Sequence, residues 1–165
     1  MLNKADDFIN VFKRLGIKKK DKISVGSSIL KILKLNKNNN FKPKVILTAL
    51  KKIITKEGVI MVDAFSWDFC KTGTFDYYLS TNKIGSLAKI ALSDKEFIRT
   101  RNPIYSFMVY GNQKSNIAKI EHSSCFSFDS PFGHIINNNG KYLLIDIDFR
   151  LHAYVHLAEQ EVSIE

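Results

Sequence analysis

Near its carboxyl end the chain reads LHAYVHLAEQ, which places His152, His156 and Glu159 at i, i+4 and i+7. On a continuous helix these three side chains would share one face. Imidazole and carboxylate at this spacing admit three readings. His156 can serve as a general base whose tautomer and charged form Glu159 supports. Two histidines and a carboxylate can also be a metal half-site, although the chain has no HExxH pattern and no further strong ligand group. The third reading is a solvated polar helix face, and spacing alone leaves all three open. A second chemical feature is GSSIL, where Ser27 and Ser28 follow a strand-like run. Hydroxyls and backbone N–H groups at a strand-to-helix turn can bind an anion or polarise a carbonyl, and plain helix capping explains the pair equally well. The motif is not GxSxG, and the glycines form neither a P-loop nor a GxGxxG fingerprint.

The elements around these residues follow from periodicity. Lys4 to Leu15 has Phe8, Val11, Phe12 and Leu15 at helical spacing, with Gly16 as a stop. DKISVG reads as a short strand, and Ser27 or Ser28 would cap the turn SILKILK after it. Pro43 suits a first helical turn, and Val45 to Lys56 puts Ile46, Leu50 and Ile53 on one face. VIMV is a buried strand. Asp63 to Ser80 is a long irregular stretch with Phe65, Trp67, Phe69, Phe75, Tyr77 and Tyr78, and a loop of this length in a small domain is usually functional. Lys83 to Leu92 reads as a helix and SFMVYG as a strand. DSPFGHII reads as a helix capped by Asp129 or Ser130 with Pro131 in its first turn. KYLLIDID is a strand, and Leu151 to Gln160 a final helix. Asn38 to Asn40 and Asn137 to Asn139 read as loops. Alternation of helix and strand predicts an α/β layered sandwich, one domain over residues 1–165, with helices on both faces of a central sheet.

Composition narrows the function. The chain has 165 residues, of which 45% are hydrophobic and 25% charged, as in an ordinary globular domain. No apolar run approaches the ~18 residues of a membrane span, and the amino terminus does not read as a signal peptide. The expected location is the cytoplasm, with no membrane partner. Cys70 and Cys125 have no zinc or CxxC spacing and read as two buried free thiols. The net charge of +9 comes mostly from lysine, with arginine only at Arg14, Arg99, Arg101 and Arg150. No basic stretch interleaves with aromatics, so solvated lysine faces are expected and no nucleic-acid partner.

Taken in order, several segments resemble one family. ISVGSSILKI is similar to the V-H-S-S-L segment of the aminoglycoside 3-N-acetyltransferases. EGVIMVDAFSWDFCKTGTFDYYLSTNKIGSLAKIAL resembles that family's G-T-L-x-M-P-T-F run, the F-D segment after it and the M-G-x-L-x-E helix. RTRNPIYSFMVYG is similar to R-S-x-H-P-x-x-S-x-x-A-x-G, and FDSPFGHIINNNGKYLLIDID to D-S-P-x-G-x-L-x-x-x-x-G-K-V-L-L-L-G. YVHLAEQ resembles T-x-x-H-L-A-E. The resemblance runs from about Ser24 to Glu159 and implies that family's fold, incomplete at the carboxyl end because only QEVSIE follows H-L-A-E.

It also implies a reaction: transfer of an acetyl group from acetyl-CoA, without a metal, to an amine of an aminoglycoside or another amino sugar. His156 would be the general base and Glu159 its orienting carboxylate. Ser27, Ser28, Asp129, Ser130 and Gly133 would lie on the cofactor side. Asp63, Phe65, Trp67 and Asn102 would line the acceptor side, with Asp68, Asp76, Asp146 and Asp148 adding negative charge. Departures from the pattern stand at Gly26 (histidine in the family), Asp63 (proline) and Asn102 (histidine). The competing expectation is a truncated, catalytically impaired family member that acts only as a binding or oligomer-forming module. Association of two copies to complete the cleft is left open.

Overall fold

The computed structural model describes residues 4–36, 41–78, 80 and 85–162. Alternation along strand β2 (Val59–Asp63) shows how its layers arise. Val59 and Met61 enter one apolar cluster, whereas Ile60 and Val62 enter another, because successive strand side chains point to opposite faces. The sheet therefore needs cover on both sides.

Five strands form one sheet. Strand β1 (Lys22–Ser27) lies between β2 and β5 (Lys141–Ile145) and is parallel to both. Strand β4 (Phe107–Tyr110) runs antiparallel to β2, and the two-residue β3 (Ile98–Arg99) pairs antiparallel with β4. The spatial order is β3-β4-β2-β1-β5. On one face lie α1 (Ala5–Arg14), α3 (Lys44–Ile54) and α5 (Ser86–Leu92), which bury Phe8, Phe12, Leu50, Ile54 and Leu87 against Ile23, Val25 and Ile60. On the other lie α6 (Lys114–Ala118), α7 (Pro131–Asn137) and α8 (Val155–Glu161), which contribute Ile117, Phe132, Ile135 and Leu157. The expected sandwich with helices on both faces is what the chain forms. Two short helices, α2 (Leu30–Leu35) and α4 (Phe69–Thr72), complete the described elements.

Several local expectations change. Neither serine caps α2: its first flanking residue is Ile29, held at φ 56, with no side-chain cap. Ile29 is fully buried, and burial of its apolar side chain outweighs the cost of a left-handed backbone. The long aromatic stretch contains α4, and α6 and β3 were not foreseen because such short elements leave little periodicity. The helix expected from Lys83 is described from Ser86, with Lys83 and Ile84 outside the described residues. Residues 38–40, expected as a loop, also lie outside them. The final helix starts at Val155 rather than Leu151. Before it, Phe149–Leu151 makes a tight 3-10 turn capped by the Asp148 side chain, which accepts from the Arg150 N–H at 3.0 Å, and His152 follows with extended backbone. Of the two expected caps of α7, Ser130 rather than Asp129 is the one, accepting from the Gly133 N–H at 3.3 Å, with Pro131 in the first turn as expected. Glycine is required at 133, since a Cβ there would lie 2.1 Å from the Phe128 carbonyl oxygen.

Phe132 is the hub of the second face. Its ring meets Phe107 at 4.8 Å, Tyr154 at 4.9 Å and Phe126 at 5.1 Å. Phe132→Ala is expected to cost about 3–5 kcal/mol by leaving a cavity among these rings. Denaturant unfolding measures the loss, and a change under 1 kcal/mol would contradict this placement of the core.

Candidate active site

Three parallel strands end at one edge of the sheet, at Ser27, Asp63 and Ile145. In α/β sheets that edge is where ligands gather. The chain just beyond β5 returns over it and leads into α8. Leu157 anchors α8 in the second apolar cluster, and Tyr154, just ahead of the helix, packs at a tilt on Tyr142 at 4.7 Å and edge-on against Phe132. That seat turns His156 and Glu159 outward. The His156 Nδ1 lies 2.8 Å from Glu159 Oε2, and both side chains are half exposed. With Nδ1–H donating to the carboxylate, Nε2 keeps its lone pair for an incoming proton.

An aromatic floor extends from this pair. The His156 ring lies 5.1 Å from Phe126, Phe126 lies 4.8 Å from Tyr105, and Tyr105 lies 5.3 Å from Trp67. Asn102 holds the turn beneath: its Oδ1 accepts from the N–H groups of Ile104 (2.9 Å) and Tyr105 (2.7 Å), and its Nδ2 donates to Cys125 Sγ at 3.5 Å. The structure thus links His156, Trp67 and Asn102 through one run of contacts. Phe65 is buried beneath that run, edge-on to Tyr105 and Phe107, so the exposed ring here is Trp67.

Asp63 sits at the sheet edge inside a polar cluster that sequence reasoning missed. Its Oδ2 accepts from the Tyr142 hydroxyl at 2.8 Å and its Oδ1 from Ser24 Oγ at 3.4 Å. Burial outweighs these two donors and raises the Asp63 carboxyl to about 7. Burial and the adjacent carboxylate push the Tyr142 phenol upward as well. Gly26 stands where the family pattern has histidine, and a Cβ at 26 would meet the Tyr142 hydroxyl at 2.6 Å and Asp63 Oδ2 at 3.1 Å. The departures at 26 and 63 are therefore neighbours, and Tyr142 occupies the space beside both. Ser24 and Tyr142 face each other in the β1–β5 register, which only strand pairing could reveal.

The remaining expected residues fall into three settings. Ser27 and Ser28 line a cavity of about 500 Å³ with Leu30, Ser86, Lys89 and Leu151. The Ser28 N–H is already spent on the Ile145 carbonyl at 3.0 Å, so the serine hydroxyls are what this corner offers. Ser130 and Gly133 are buried in the cap of α7, and Asp129 accepts from Ser127 Oγ beside it. The outlying acids have local partners: Asp76 accepts from the Tyr78 N–H, Asp146 from the Lys31 N–H, and Asp148 pairs with Arg150, which holds its carboxyl at about 2. His152 lies outside α8 and packs its ring on Phe149 and Tyr142, so it does not share a helix face with His156. Among the described residues no group of three or more His, Cys, Asp or Glu could hold a metal ion.

Arg99 was also missed. It is buried and bonds Ser106 Oγ (3.0 Å) and the carbonyls of Ser80 (2.6 Å) and Ala64 (3.3 Å), tying the aromatic loop to the β3–β4 hairpin. Arg99 and Ser106 are the arginine and second serine of the R-S-x-H-P-x-x-S segment, so that motif holds the wall of the site in place.

The three-layer sandwich is the fold of solved aminoglycoside acetyltransferases. AAC(3)-IVa as apoenzyme superimposes with a TM-score of 0.81 at 19% identity, covering 98% of this chain and 61% of that one. AAC-IIIb, solved as a binary complex with CoASH, gives 0.80 at 16% identity, covering 95% and 64%. The family model for aminoglycoside 3-N-acetyltransferase matches residues 25–165, and the chain belongs to that family. A curated relative is the SPbeta prophage-derived aminoglycoside N(3')-acetyltransferase-like protein YokD of Bacillus subtilis (strain 168), 26% identical over 93% of this chain. The chain spans 63% of that relative's length.

The raised Asp63 carboxyl has a stability consequence. A carboxyl raised in the folded state contributes stability below its ordinary value of 3.8 and loses it as pH rises through about 7. Asp63→Asn, which removes the buried charge, should therefore melt progressively higher than the parent chain as pH goes from 4 to 7, with the gap constant above that. Thermal melts across this range check the sign, and a gap that does not vary with pH would contradict it.

Proposed function

We propose that the chain is an N-acetyltransferase that moves an acetyl group from acetyl-CoA to an amine of an aminoglycoside or other amino sugar. The observation that carries this reading is the His156–Glu159 pair, bonded at 2.8 Å and turned to solvent on the last helix of a chain in this family. A sugar amine is largely protonated at neutral pH, so attack on a thioester needs a base. His156 Nε2 takes the proton as the amine attacks. Glu159 holds the ring in the tautomer with Nε2 open and offsets the imidazolium charge that follows.

The donor fits the corner at Ser27 and Ser28. Hydroxyls from Ser27, Ser28 and Ser86 and the Lys89 ammonium suit an anionic, hydrogen-bonding ligand, and Leu30 and Leu151 suit an apolar arm. Acetyl-CoA, when bound, supplies the activated acetyl group as a thioester. Ser130 and Gly133, with Asp129 beside them, shape the cofactor side by fixing α7. Trp67, Tyr105 and Asn102 wall the acceptor side, with Phe65 supporting them from below and Asp63 at the sheet edge. Since Asp76, Asp146 and Asp148 are spent on local partners and the chain carries +9, a lightly charged amino sugar suits this surface better than a polycation.

Incubation with acetyl-CoA and a panel of aminoglycosides and amino sugars, read by release of free thiol, tests the proposal. His156→Ala should lower kcat by about 10²–10⁴-fold, the usual contribution of a general base. Glu159→Gln should lower it less, and His152→Ala should leave most of it. Equal loss at 152 and 156 would place the base elsewhere. No turnover, together with no coenzyme A binding by calorimetry, would favour a binding or oligomer-forming module instead.

A further inference from the structure

His156 depends on where α8 begins, and the start of α8 rests on a group that the reaction itself does not use. Tyr154 lies one residue before the helix, and its ring faces Tyr142 at 4.7 Å with an interplanar angle of 49°. The Tyr142 hydroxyl in turn donates to Asp63 Oδ2 at 2.8 Å. Glycine at 26 leaves the room in which this bond forms. The Tyr154 hydroxyl is buried beside the same cluster, next to Ser24 and Asp63. The start of α8 thus rests beside this polar cluster through the Tyr154 ring.

We propose that Asp63 and Tyr142 are positioning residues for His156: their hydrogen bond, built into the space beside Gly26, seats the start of α8 through the Tyr142–Tyr154 ring contact. The role of His156 rests on the function proposed above, but the seat itself does not. Three hydroxyl-bearing residues face the Asp63 carboxylate: Ser24 from β1, Tyr142 from β5 and Tyr154 from the approach to α8. His152 neighbours the Tyr142 ring, 6.1 Å between ring centroids. When the carboxyl loses its proton it becomes a stronger acceptor for Tyr142, and the ring under Tyr154 is drawn tighter. That change falls near pH 7, so the seat of α8 tightens as pH rises through neutrality.

The Leu157 methyl groups, buried on the inner face of α8, report this seat by NMR. In the parent chain their resonances should move with an inflection near pH 7. In Asp63→Asn that component should vanish. Tyr142→Phe keeps the ring stack but removes the donor that favours the charged carboxylate, so the inflection should move to higher pH. Gly26→Ala displaces the Tyr142 hydroxyl and should have the same effect. His152 and His156 are present in every variant, so only the component that disappears with Asp63 is read. Leu157 signals that titrate alike in all four proteins would overturn the proposal. A second readout is kcat for thiol release, which should fall roughly tenfold to a hundredfold in Tyr142→Phe, the scale expected when a base is displaced by less than an ångström or so. A normal kcat with altered methyl titration would limit the pair to stability and sink the positioning role. Should the parent chain turn over no acceptor, the function above fails, and the methyl titration alone then decides the seat.

Discussion

Burial of one aromatic cluster decides where this site can be. Phe132 projects from α7 into the sheet, and Phe107, Phe126 and Tyr154 close around its ring. Each of these rings belongs to a different part of the chain: a central strand, the loop before α7 and the approach to α8. Such rings exclude water and hold their geometry through edge-to-face contact. The proposed catalytic pair lies outside this cluster: His156 and Glu159 are bonded to each other at 2.8 Å, His156 rests on the Phe126 ring, and Leu157 of the same helix joins the cluster.

A second constraint is electrostatic. Most charges of this basic chain lie at the surface, where ion pairs contribute little. Asp63 is different, because its carboxylate sits against the sheet with two hydroxyls rather than a cation as partners. Burial wins over those bonds, and the group titrates near neutrality rather than in the usual carboxylate range. Arg99 shows the converse arrangement. Its buried guanidinium is spread over a hydroxyl and backbone carbonyls and stacked 4.8 Å from Phe75, so one cation ties a long loop to a hairpin.

How the chain departs from its family also becomes physical once the sheet is formed. Gly26 and Asp63 look like two unrelated losses in the sequence. In the sheet they are adjacent, and Tyr142 from a third strand fills the space that a larger side chain at 26 would need. Asn102 replaces another histidine of the pattern, and it serves as a turn cap, a task an amide performs without titrating.

Periodicity in the chain was enough to establish the α/β class, the two covered faces of the sheet, a helix start at Asp129 or Ser130 and the spacing of His156 and Glu159. These are local properties, set by repeats of 2.0 and 3.6 residues and by the chemistry of helix starts. Short elements such as β3, α4 and α6 escaped, because a few residues carry no readable repeat. So did the start of α8: an apolar residue at 151 continues a helical pattern, while the Asp148 cap and the packing of His152 on Tyr142 stop it. The cluster of Asp63, Ser24, Tyr142 and Tyr154 was invisible for a stronger reason. Its members come from β2, β1, β5 and the approach to α8, and only strand register brings them within hydrogen-bond and ring contact. Sequence spacing thus determined that His156 and Glu159 lie within reach of each other on one helix. Which residues surround them was decided by tertiary structure, because burial and register are properties of the whole sheet.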